Sequence, residues 1–296
     1  MIGSVYALMS AVIFALNNIF IRRAVVKVPA AGVGTLISVP VALSFFAFIL
    51  LLTGQIDTLF NFTWRGYLWL SLSGIIHFGI GRTLLYNCIQ LVGANIASIL
   101  RRFNVLVSVV LGVVVLREPL SWNLVVGVLL IITGITLAGL NPQMFRDPNQ
   151  SFARIPGRAY LLGLTCGLII GITPILVKLA LADANYPIGG AFISFLAATV
   201  FLSFSLVSHK RRYSVTHISG RAVGLFAVEG FLSSSGNLTR FLALGLAPAS
   251  VVMPIISSAP VFLLVFSFLF NRQLEIFSKP VIIGTLMVVV GNVLLI

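Results

Sequence analysis

The sequence predicts an all-α integral membrane protein, with ten transmembrane helices arranged as two inverted five-helix repeats. Three observations predict it. The 296-residue chain is 59% hydrophobic and only 8% charged, with a mean hydropathy of +1.13. Soluble domains carry about 25% charged residues, so there are too few polar side chains here to cover a water-soluble surface. The apolar runs are long and continuous instead of alternating at period two. Of the two structures that satisfy a backbone in lipid, this selects helices over a closed barrel. The two halves of the chain also align with each other at a nearly constant offset.

The first span, 3–22, lacks a basic leading segment and a clear small-residue cleavage site, so it reads as a helix that stays and not as a removed signal. Spans 31–53 and 66–90 follow. The short "LVGAN" then reverses the chain into 94–116, which carries Arg101 and Arg102 near its start, and "REPLS" turns it into 121–140. The polar stretch "NPQMFRDPNQSFARIPGR" divides the spans five and five. The first repeat is therefore 1–141, the connecting loop 142–157 and the second repeat 158–296, the two forming one unit. The second repeat supplies spans 159–181, 187–208, 222–246, 249–270 and 278–296.

A shift of 156 residues superposes the halves. Ala7, Ala11 and Ala15 fall on Gly163, Gly167 and Gly171, Arg22 on Lys178, and Gly34, Ser38 and Ala42 on Gly190, Ser194 and Ala198. Near the ends, Gly127 and Gly134 meet Gly284 and Gly291 at a shift of 157. Five is odd, so a copy of five helices enters the membrane from the opposite side, and the repeats are inverted. Such repeats characterise secondary transporters, whose sites lie near the midplane between them. The small residues at four-residue spacing serve close helix packing, as do Cys88 and Cys166 inside their apolar runs.

The stretch "GANIASILRRFNVLVSVVLGVVVLREPLSWNLVVGVLLIITGITL" resembles the repeat signature of the drug/metabolite transporter superfamily, in its ten-helix EamA-type branch. Glu118, Leu120, Ser121, Gly127 and Gly134 stand at matching places. The second copy reads "APASVVMPIISSAPVFLLVFSFLFNRQLE…GTLMVVVGNVLL", with Pro260 where the family often has proline and the acidic corner replaced near Arg272. The resemblance covers almost the whole chain. It implies a transporter of small metabolites working by alternating access, without naming a substrate, because the family spans amino acids, nucleotide sugars, sugar phosphates, choline and drugs. The double arginine is not part of that pattern.

Ionisable residues inside spans face a cavity or a partner, because lipid does not solvate them. Helical spacing sorts them into stripes. Arg82 and Tyr86 share one, Arg101 and Asn104 another with Ser108, and Glu229, Ser233, Gly236 and Arg240 a third. His77 falls off the Arg82 stripe and reads as a packing residue. Arg102 points about 100° away from Arg101 and reads as packing or snorkelling. Arg22, Arg23 and Lys178 lie near span ends, where snorkelling explains them. The deep spans hold Arg82, Arg101, Arg102 and Arg240 against the single carboxylate of Glu229. Arginine stays protonated, so a bound carboxylate or phosphate is the expected counter-charge, held in bidentate fashion. Glu229 is the candidate carrier of a coupling proton, or else a structural ion pair. Pro174 is expected to interrupt the sixth span at the place that Asn17 and Asn18 hold in the first, and Pro254 and Pro260 frame "IISSA" in the ninth. Asn17, Asn18, Thr173, Ser257 and Ser258 are expected to line the pocket.

The leading reading is a secondary transporter for a small anionic or zwitterionic metabolite, such as an amino acid or a phosphorylated compound. Its partners are that small molecule, the bilayer and possible coupling protons. A flippase for a phosphate-bearing lipid is the alternative, and an integral membrane enzyme the remote one, since the sequence has no HExxH, GxSxG or metal-ligand cluster. No cofactor is implied. The formal charge of +13 marks cytoplasmic loops and not nucleic acid binding. The expected location is a cell membrane, the inner or plasma membrane of a prokaryote. The loops after spans 1, 3, 5, 7 and 9 hold most basic residues, Arg22, Arg23, Lys210, Arg211 and Arg212 among them, while Trp64, Trp69 and Trp122 lie at the opposite interface. The positive-inside rule places both termini outside, whereas the resemblance implies cytoplasmic termini.

Overall fold

A computed structural model describes residues 1–25, 28, 31–101, 103–139, 157–205, 219–259, 261–262 and 279–295. Arg102, Pro260, Arg272, most of the 142–157 connection and the second half of the ninth span lie outside the described residues. The described chain is helical: α1 (Ile2–Val25), α2 (Thr35–Thr53), α3 (Trp64–Gly74), a π-helical segment (Ile75–Gly81), α4 (Arg82–Arg101), α5 (Phe103–Val115), α6 (Trp122–Gly139), α7 (Gly157–Asp183), α8 (Pro187–Phe204), α9 (Gly220–Leu246), α10 (Ala249–Ser257) and α11 (Lys279–Leu295). Among the described residues, five stretches are long and apolar enough to cross a membrane: Ile2–Val25, Gly32–Thr53, Trp64–Val92, Gly157–Asp183 and Pro187–Phe204.

The expected reversal at "LVGAN" takes an unexpected form, because helical backbone runs through Arg82–Arg101 without a break. The packing partners nevertheless change direction along it. Cys166 Sγ donates to Gly81 O and Cys88 Sγ to Ala159 O, so this part runs antiparallel to α7. Leu100, Arg101 and Asn104 then meet Gly163, Gly167 and Gly171 in parallel order. The order of its contacts with α7 thus reverses between Cys88 and Leu100.

The halves interleave. α1 packs on α9 and α10 of the second half, and α7 packs on α3, α4 and α5 of the first. Ala7, Ala11 and Ala15 are fully buried, and any side chain at Gly163, Gly167 or Gly171 would strike α4 or α5. α6 and α11 pair in the same crossed manner: a Cβ on Gly127 would come within 3.1 Å of Gly291 O, and one on Gly134 within 2.6 Å of Gly284 O.

α5 ends in a left-handed turn at Arg117 (φ 54°). The Glu118 N–H reaches back six residues to Gly112 O at 3.1 Å, which closes the helix end with a non-glycine residue in the left-handed position. This turn aims the Glu118 carboxylate at the start of α10, where it accepts from Ala249 N (2.7 Å) and Ser250 N (2.9 Å). Lys178 Nζ donates to Leu244 O (2.7 Å) and Ala247 O (2.8 Å) at the end of α9. Both unsatisfied ends of the α9–α10 corner are thus tied down from other helices.

Candidate functional site: a cationic cavity between the halves

Where the halves interleave, a cavity opens with about 1030 Å³ of free space, part of it continuous with solvent. α1 supplies Phe14, Asn17, Asn18 and Ile21. α4 supplies Arg82, Leu85 and Tyr86 from its start and Arg101 from its end, while α5 adds Asn104 and α7 Ile170. α9 supplies Glu229, Ser233, Asn237 and Arg240, and α10 Met253, Ile256 and Ser257, followed by Ala259. His77 of the π segment completes the wall.

The polar face of α9 follows from its four- and three-residue spacings, which stack Glu229, Ser233, Asn237 and Arg240 on one side of the helix. Asn237 Nδ2 donates to Ser233 O at 2.7 Å, fixing the amide against its own helix. Glu229 is 1% exposed. Its Oε1 accepts from Asn17 Nδ2 at 3.3 Å and lies 3.8 Å from Arg82 Nη1. Arg82 also donates to Ser38 Oγ at 3.3 Å and to Ser233 Oγ. One guanidinium therefore ties α2, α4 and α9 together.

Arg240 is held differently. Its Nη1 lies 3.4 Å from His77 Nε2, and its guanidinium stands 5.7 Å from the Phe78 ring centroid and 5.4 Å from that of Phe241. Phe78 also carries Arg82, at 5.4 Å, so two cations share one ring. No hydrogen-bond or carboxylate partner is seen for Arg101 among the described residues. Three buried acceptors on the wall, Asn17 Oδ1, Glu229 Oε2 and Asn237 Oδ1, one donor, Arg240 Nε, and the Tyr86 hydroxyl have no hydrogen-bond partner among the described residues. Among the described residues, no group of His, Cys, Asp and Glu could hold a metal.

Of the residues expected at the site, Arg82, Tyr86, Arg101, Asn104, Arg240, Asn17, Asn18, Ser257 and Glu229 meet at this one cavity. Thr173 and Ser258 do not. Thr173 is fully buried behind His77, and Ser258 turns inward, its Oγ donating to Ile255 O at 2.6 Å where α10 ends. Pro174 does not interrupt its span either, since α7 runs unbroken through it. Its missing N–H frees Ile170 O, and the Thr173 hydroxyl fills that vacancy at 3.0 Å.

His77 is the main correction. It lines the cavity because residues 75–81 form a π-helix, in which the Arg82 N–H bonds to His77 O, five residues back. In a uniform α-helix these side chains would point about 140° apart, and the wider π turn brings them towards one face. Ser233 lies here as a member of the Glu229–Arg240 stripe, while Ser38 and Asn237 are outside the expected set. The α9 spacing also reaches Asn237, while nothing in the sequence distinguishes Ser38 from other packing serines.

The EamA-like transporter family model matches this chain twice, over residues 1–140 and 157–296. No curated protein sequence matches it. Among solved structures, one crystal structure, described only as that of a protein, superposes with a TM-score of 0.77 at 12% identity, covering 99% of this chain and 94% of the other. At that identity the likeness speaks for the fold alone.

Proposed function

Because the chain belongs to the EamA-like transporter family, and so is a multi-pass membrane transporter, we propose that it carries a small organic anion or zwitterion by alternating access through the cavity between its halves, with 1–141 and 158–296 acting as one unit. One observation carries the reading. Three guanidinium groups face the cavity with one carboxylate, and that carboxylate is already engaged by Arg82 and Asn17. Arg101 and Arg240 are left to meet a negative group of the substrate, a carboxylate or phosphate bound through paired N–H donors. The unpartnered acceptors on Asn17, Glu229 and Asn237 suit a donor-rich group such as an ammonium at the substrate's other end. Asn18, Tyr86, Asn104 and Ser257 complete the seat.

Glu229 either carries a coupling proton or serves as the fixed partner of Arg82. Transport whose pH dependence survives Glu229→Gln would remove the first role. The basic loops support a cytoplasmic position for the side they occupy, and a reporter fused after Ile296 reads the orientation directly.

The test is a thermal-shift screen of the purified protein against metabolites of each charge class. Anions and zwitterions are expected to raise the melting temperature, and the rise should shrink in Arg101→Gln. Stabilisation by cations alone would overturn the proposal.

A further inference from the structure

His77 is the titratable ring on the cavity wall to which the transport reading gives no task. Two independent constraints fix its protonation. Arg240 Nη1 can only donate, so at 3.4 Å His77 Nε2 accepts. On the other side of the ring, Thr173 Oγ lies 2.7 Å from Nδ1. The Thr173 hydrogen is committed to Ile170 O, the carbonyl that Pro174 leaves without a backbone donor, so the hydroxyl can only accept from the ring. Both ends give the same answer: a neutral imidazole with its hydrogen on Nδ1 and its lone pair on Nε2. The chain of bonds runs from Arg240 through His77 and Thr173 to Ile170, crossing from the α9 of one wall to the α7 backbone of the other.

The charges around the ring all have one sign. Arg240 reaches it from α9, and Arg82 and Arg101 from the two ends of α4. Glu229, also on α9, is taken by Arg82 and Asn17. α7 presents the Thr173 hydroxyl and the Cys166 thiol, which donates to Gly81 O. α2 and α8, which also pack on the π segment, contain no titratable residue.

We propose that His77 is a positioning residue that holds Arg240 against the cavity wall, and that its protonation and the binding of a substrate anion are cooperative. This rests on the anion-binding role assigned above to Arg240. A proton added to Nε2 occupies the lone pair that Arg240 uses, while Nδ1–H keeps its bond to Thr173. The guanidinium, now beside a like charge and with no acceptor, swings off the ring and into the cavity it already lines. Conversely, an anion in the cavity draws Arg240 to itself, vacates Nε2 and offsets the neighbouring cations, so that a proton can follow. Linkage makes the two effects equal. The chemical pair that binds best is therefore an anion together with one proton.

Sulfate is the probe, because its charge is constant across the working range. Its affinity for the detergent-purified full chain is measured by calorimetry between about pH 5.5 and about pH 8, in buffers of differing ionisation enthalpy so that proton uptake is read directly. Sulfate is expected to bind about tenfold more tightly at the acidic end, with protons taken up on binding. His77→Asn and His77→Gln should abolish the pH dependence. Sulfate binding with no proton uptake by the unsubstituted protein overturns the inference, whether or not the variants fold. So does a pH dependence that persists in both variants. An absence of sulfate binding at every pH removes the anion seat itself and the inference with it.

Discussion

Replacing Glu229 with Gln leaves Arg82 a buried cation whose remaining partners are two hydroxyls and the Phe78 ring. The charges are 3.8 Å apart, and the side chains are 9% and 1% exposed. At that separation the Coulomb energy is about 4 kcal/mol with the effective dielectric near 20 that fits protein sites. Removing one partner of such a pair typically costs about 3–5 kcal/mol, because the other charge stays buried and uncompensated. Glu229→Gln and Arg82→Gln are each expected to destabilise by that order. The double substitution should be much less damaging than the sum, since two neutral amides can share Ser38, Ser233 and Asn17 without a stranded charge. The assay is a double-mutant cycle on denaturant unfolding in detergent, with a coupling energy of about 4 kcal/mol expected from the same Coulomb argument. A coupling below about 1 kcal/mol, the level of exposed pairs, would refute the claim that Arg82 and Glu229 form a structural pair and would return Arg82 to the pool of cations free to meet substrate.

Three further outcomes follow from the same geometry. Arg101→Gln should change unfolding stability by less than about 0.5 kcal/mol, because no partner of its guanidinium is seen among the described residues. The same substitution should weaken anion binding by about tenfold or more, as loss of a charged hydrogen bond does. Titration and melting on one preparation read both. Glu118→Ala strips the acceptors from Ala249 N and Ser250 N and should lower stability by about 1–2 kcal/mol, with Glu118→Gln intermediate; melting temperatures check the order. Gly74→Ala drives a methyl into the Ser194 carbonyl on α8, an overpacking expected to cost about 1–3 kcal/mol or more. Gly224→Ala, with nothing within 4 Å of its Cβ, should instead gain about 0.5–1 kcal/mol of helix stability. Equal melting shifts for the two alanines would contradict the packing described.

Much of this molecule was legible in its sequence. Long apolar runs must become helices in lipid, and the offset that laid Ala7, Ala11 and Ala15 over Gly163, Gly167 and Gly171 marks the faces on which the two halves close. The polar stripes brought Arg82, Arg101, Glu229 and Arg240 to one cavity because an α-helix keeps its period over two or three turns. Where that period changes, the reading fails. The π segment moved His77 onto the Arg82 face, and no residue within "IIHFGIG" announces a wider turn. Pro174 looked like a break, yet one threonine hydroxyl repaired the lost bond and left the helix whole, which moved Thr173 from the wall to the layer behind it. Ser38 was out of reach for another reason. Its partner Arg82 lies 44 residues away, and only the crossing of α2, α4 and α9 puts them together.

The interleaving of the halves also bears on how the chain is made. The buried face of α1 finds its partners on α9 and α10, roughly 200 residues later. At about 5–20 residues per second of synthesis, the first helix waits some tens of seconds in the bilayer before Gly236 arrives to receive Phe14 and Ser10. During that interval its row of small residues is open to any other helix that diffuses past. Emergence of α9, and not insertion of the fifth helix, is the moment at which the buried face of α1 can close.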